Sequence, residues 1–81
     1  MKWGSDDEGR IRYGAEVQAM TGRPPGLLRK ADYSVYVLTQ QYDGRRFINL
    51  IDDTTTVNVR ARGTNGAELK AIEVMRGRRK K

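Results

Sequence analysis

The sequence predicts a small, mainly β domain in which an antiparallel sheet bends strongly into a barrel. Three observations carry that expectation. Residues 10–19 and 55–61 alternate apolar and polar side chains with the period of two that marks a strand, and residues 33–42 are rich in β-branched and aromatic side chains. Two tight turns, Asp43-Gly44 and Asp52-Asp53-Thr54, fall between strand-like runs and return the chain on itself. Finally, the 81 residues contain no Cys and no His. A chain this short buries only about 60% of its unfolded surface. Without disulfides or the usual zinc ligands, closed strand edges and homo-oligomerisation are the supports left to it.

Each element follows from its residues. Residues 1–9, MKWGSDDEG, are polar and acidic and are expected to form a flexible N-terminus, with Trp3 docking on the body or serving as a stacking platform. From there Ile11, Tyr13, Ala15, Val17 and Ala19 face one way, while Arg10, Arg12, Glu16 and Gln18 face the other. Gly14 weakens this strand. TGRPPG, residues 21–26, breaks the strand, and a short helical turn is expected near 26–31, anchored by Leu27 and Leu28. Tyr33 to Tyr42 starts apolar on both faces and reads as a central strand covered on both sides in its first half. Asp43-Gly44 signals a two-residue hairpin, with residues 45–51 as the partner strand. In the next strand Val57, Val59 and Ala61 point inward, and Asn58, Arg60 and Arg62 outward. After GTNG two readings stay open. Residues 65–77 fit a helix with Asn65 as its cap and Gly77 at its end. KAIEVM also fits a strand with Ile72 and Val74 on one face. The expected organisation is a flexible terminus at 1–9, one domain at 10–75 and a basic tail at 76–81.

Catalysis is poorly supplied, because the common bases and thiol nucleophiles are missing. Asp52 and Asp53 are ordinary turn residues, no phosphate-cradling glycine motif is present, and no cofactor is expected. No apolar run is long enough to span a membrane, and the N-terminus lacks a signal-peptide core, so the expected location is cytoplasmic.

Charge points to a binding role. Lys and Arg number 16 against 10 Asp and Glu. Residues 1–75 hold 11 basic and 10 acidic side chains, so the excess sits in Arg76, Arg78, Arg79, Lys80 and Lys81. Basic chain ends commonly serve as nucleic-acid arms, or simply keep a protein soluble. Eleven of the basic residues are Arg, whose planar fork grips phosphate and stacks on bases. Arg45 and Arg46 stand at the hairpin beside Phe47, Arg60 and Arg62 share a strand face with Asn58, and Tyr36 and Tyr42 share another. Arginine beside exposed aromatics is the composition of a platform for RNA or single-stranded DNA. The bland alternative places Phe47 and one or more tyrosines in the core.

The order of features resembles an Sm-like (Lsm/Hfq-type) RNA-binding domain over residues 23–77. RPPGLLRKA stands where that family has its first helix, SVYVLTQQYDGRRFINL resembles the first Sm motif, and AIEVMRG resembles the second. The resemblance implies an SH3-like or Sm-like barrel, with the OB fold as neighbouring option. It also implies RNA contacts at Asn58 and Arg76, and a ring as the working unit. The rival expectation is a protein-interaction or assembly module that uses exposed strand edges, such as an accessory subunit or a phage- or plasmid-type regulator.

Overall fold

Odd-numbered positions build the core. Ile11, Tyr13 and Ala15, then Ala31, Tyr33, Val35, Val37 and Thr39, then Val57, Val59 and Ala61 are all buried. Their even-numbered neighbours lie on the opposite face of the sheet, as the pleat requires. The computed structural model describes residues 1–6, 8–21 and 30–79. Its strands are β1 (Lys2–Ser5), β2 (Ile11–Thr21), β3 (Ala31–Tyr42), β4 (Phe47–Asn49) and β5 (Thr55–Ala61), followed by one helix, α1 (Thr64–Arg79). All pairings are antiparallel, in the order β1-β2-β3, with both β4 and β5 on the far side of β3.

β4 and β5 are two halves of one returning strand. β4 pairs residues 40–42 of β3 and β5 pairs residues 31–37. Between them a 3₁₀ turn, Ile51–Asp53, loops out of the ladder. Thr39, fully buried, closes the gap: its N–H donates to Thr54 Oγ1 at 3.1 Å and its hydroxyl to the Asp53 carbonyl at 3.0 Å. The Leu50 N–H donates to the Thr39 carbonyl at 2.8 Å. A buried hydroxyl is tolerated there because each polar group finds a partner.

The sheet is open rather than closed into a barrel. Its core face is covered by α1, through Ala67, Ala71, Ile72 and Met75, and so has no need to roll onto itself. Residues 65–77 are therefore helix, including AIEVMRG, where the Sm-like resemblance implies a strand. β3 is central but covered on one side only, since Tyr36 on its other face is exposed. The expected flexible start is corrected too: Lys2–Ser5 pair with β2, register Lys2↔Ala15 to Ser5↔Arg12. Two glycines permit it. A Cβ on Gly4 would meet Ile72 Cγ2 at 2.9 Å, so β1 lies tight beneath α1. A Cβ on Gly14 would meet Trp3 Cη2 at 2.8 Å, so the indole lies flat across the neighbouring strand.

The β2 alternation also slips once. A bulge between Val17 and Ala19 moves Ala19 to the side of Ser34, away from the helix. Glu68 of α1 accepts the Val17 N–H at 3.3 Å and pins that irregularity. The hairpin after β3 has a four-residue loop rather than two, because Tyr42 pairs with Phe47 and the Asp43 N–H donates to the Arg46 carbonyl. Gly44 takes φ 101° within it, a backbone angle that favours glycine. The helical turn expected near 26–31 lies outside the described residues except at its end, where Ala31 opens β3. Among the described residues, no helix is long and apolar enough to cross a membrane.

Candidate nucleic-acid interface

The helix-free face of the sheet gathers most of the exposed aromatic side chains. Trp3 from β1, Tyr36 and Tyr42 from β3 and Phe47 from β4 stand on it, the first three exposed by 46%, 36% and 44%. Register places them together. Trp3 is opposite Gly14, Arg12 is opposite both Ser5 and Gln40, and Gln40 is opposite Asn49.

Arg12 is the centre of this group. Its guanidinium carbon lies 3.9 Å from the Phe47 ring centroid and 4.7 Å from that of Trp3. Its Nε donates to Gln40 Oε1 at 2.6 Å, and Gln40 Nε2 donates to Asn49 Oδ1 at 2.7 Å. A polar relay thus crosses from β2 through β3 to β4 and holds a cation between two rings. Tyr42 packs beside Phe47 with centroids 5.3 Å apart and planes tilted by 52°. Cation–π contact and tilted ring packing both favour such a cluster over solvated, separate side chains.

The hairpin loop extends the same end of the face. Asp43 Oδ1 accepts the N–H groups of Arg45 and Arg46, each at 2.9 Å. Those bonds, Arg46 first and then Arg45, hold the Asp43 carboxyl below its ordinary range. The aspartate therefore spends its acceptor capacity on the loop backbone, and both arginine side chains stay exposed next to Tyr42 and Phe47.

The remaining expected site residues are scattered by comparison. Asn58 and Arg60 share the helix-free face, but toward its other end: their partners Ser34 and Asp32 lie six and eight β3 residues from Gln40, or about 20 and 27 Å along an extended strand. There Asn58 Oδ1 accepts from Ser34 Oγ at 3.0 Å, and Arg60 Nε binds Asp32 Oδ1 at 3.0 Å. The Asp32 hydrogen bond raises the Arg60 pKa and offsets its charge. Arg62 does not continue the strand; it lies past the end of β5, exposed in the turn before α1. Arg76 and Arg78 belong to α1 rather than to a mobile tail. Arg76 Nε donates to the Ser5 carbonyl at 2.7 Å and straps β1 to the helix, while Arg78 reaches Met75 Sδ at 3.8 Å. Arg79 closes α1, but its side chain, like Lys80 and Lys81, lies outside the described residues.

Tyr33 is core, as one tyrosine was expected to be, but Phe47 is half-buried on the helix-free face. Arg12 and Trp3 form the contact at the centre of this cluster, and sequence reasoning left both out of the candidate site. That contact's one sequence signal is Gly14, since a glycine inside an alternating strand marks a close approach. Asp52 and Asp53 sit exposed in the 3₁₀ turn, and among the described residues no group of acidic side chains is placed to hold a metal ion. Against this geometry, no protein-family model, no curated protein and no solved structure matches the chain.

Proposed function

We propose that the chain is a non-catalytic nucleic-acid-binding protein that takes RNA or single-stranded DNA on its helix-free sheet face with little regard to sequence. The observation that supports this most is the Trp3–Arg12–Phe47 stack beside Tyr42, with Arg45 and Arg46 at its rim. Unpaired bases stack on aromatic faces at about 1–3 kcal/mol each, and every base has such a face. Arginines around the rings serve the phosphates. Aromatic rings left wet on one flat surface also forgo burial that a ligand would restore. Such a role requires one open face, not a closed barrel or a ring of Sm-like subunits.

In this arrangement Arg12, Arg45 and Arg46 carry more of the binding than Arg60, which Asp32 already engages, or Arg76, which serves β1 on the other side. Anisotropy of a labelled single-stranded oligonucleotide, followed across a salt series, tests the proposal. Each phosphate contact contributes a log–log slope of roughly −0.7 on single strands. Three or four contacts predict a slope of about −2 to −3. Affinity that does not change with salt would contradict phosphate binding.

The alternative, a protein-interaction module using strand edges, also has one specific observation in its favour: among the described residues, β5 pairs β3 on one side and no strand on the other.

A further inference from the structure

On the side away from β3, β5 pairs with no strand among the described residues. Lys70 Nζ donates to the Arg60 carbonyl at 2.6 Å, so the backbone groups of Arg60 point to that outer edge. By the strand's alternation those of Asn58 and Thr56 do as well. The seven residues of β5 include no Pro, no Gly and no register shift, the usual devices that blunt an edge. The other lateral edge, β1, is only four residues long against seven in β5.

Alongside β5, α1 presents a stripe with a particular symmetry. Gly66, Lys70, Glu73 and Gly77 follow one another at helical spacings of four, three and four, and so share one face. Lys70, Glu73 and Val74 line a shallow groove with Asn58 and Arg60 of the strand. About the midpoint between Ala71 and Ile72, Gly66 mirrors Gly77 and Lys70 mirrors Glu73. A two-fold axis there would set glycine against glycine and each lysine against a glutamate. Gly77 also lies inside the helix with nothing within 4 Å of where a Cβ would stand. No contact within the described chain calls for a glycine that weakens the helix there.

We infer that this face binds a second copy of the chain, with β5 antiparallel to β5 and α1 antiparallel to α1. The axis passes Asn58 in the sheet and the Lys70–Glu73 midpoint in the helices. Asn58 of one copy pairs with Asn58 of the other, and Thr56 pairs with Arg60, so the Arg60 side chains do not oppose each other. The two sheets become one, which gives a thin-cored domain the additional burial that its size calls for. Charge complementarity selects this occupant: the stripe is its own complement under two-fold symmetry, the hallmark of an isologous contact.

Sedimentation equilibrium of the full chain tests the inference. Wild type is expected to dimerise reversibly. Lys70→Glu or Glu73→Lys alone sets like charges across the axis and weakens the dimer at least about tenfold. The exchanged pair, Lys70→Glu with Glu73→Lys, restores it to within about threefold. Circular dichroism checks that α1 persists in each variant. A wild-type monomer at about 200 μM, a larger closed ring, or an exchanged pair no stronger than the single variants would overturn the inference. None of these outcomes depends on oligonucleotide binding, because Trp3 and Arg12 lie across the sheet from β5.

Discussion

Arg12→Ala is expected to lower the proposed affinity for single-stranded RNA or DNA by about 1–3 kcal/mol, the size of losing one stacking platform. The loss comes from two sources. The cation itself disappears, and Phe47 and Trp3 lose the guanidinium that spaces them at 3.9 and 4.7 Å. Arg12→Lys recovers part of the effect, because an ammonium keeps the charge but neither lies flat on two rings nor reproduces the fork. Arg60→Ala is the matched control on the same face. Its guanidinium is already held by Asp32, so its removal costs distinctly less affinity. Titration of a labelled oligonucleotide against the three variants at one salt concentration checks this order. Equal losses for Arg12→Ala and Arg60→Ala would mean that diffuse charge, not the aromatic cluster, holds the ligand.

Ile72→Ala is expected to cost about 2–4 kcal/mol of folding stability, read as a shift in the urea midpoint. Ile72 is 2% exposed and its Cγ2 lies where β1 comes closest to the helix, at Gly4. Truncation leaves a void at the junction of α1, β1 and β2 that the tight Gly4 backbone cannot fill. A domain of this length has a total stability of roughly 4–12 kcal/mol, so the variant sits near the unfolding threshold. Leu69→Ala, three residues earlier on the same helix, has the opposite expectation. Leu69 is 46% exposed and alanine is the better helix former, so stability changes by less than about 0.5 kcal/mol. Similar midpoints for the two variants would show that α1 does not cover the sheet as described.

Much of the sheet was legible in the sequence, because alternation is a local property. Val57, Val59 and Ala61 faced inward as their spacing required, and β3 was recognisable from its β-branched and aromatic run. What was not legible depended on partners distant in sequence. The segment from Ala67 to Met75 fits either a helix or a strand by itself; only the uncovered core face of the sheet selects the helix. β1 is too short to announce itself, and Gly14 on the neighbouring strand leaves room for its Trp3. The same holds for the site. Arg45 and Arg46 could be placed from the hairpin they follow. Arg12 could not be placed, since Trp3 and Phe47 reach it only through the β1–β2 and β2–β3–β4 registers. Arg76, in turn, read as part of a basic arm until the helix carried it onto the Ser5 carbonyl.

Trp3 offers the most direct test that bases stack on the helix-free face. It is the chain's single tryptophan, stands half-exposed on that face and touches the Arg12 guanidinium, so its emission reports on one place. Titrating unlabelled single-stranded RNA or DNA into the full chain should quench that emission saturably, at the same midpoint as anisotropy of a labelled strand. Anisotropy that saturates while Trp3 emission stays constant would contradict the account, placing the ligand on another surface.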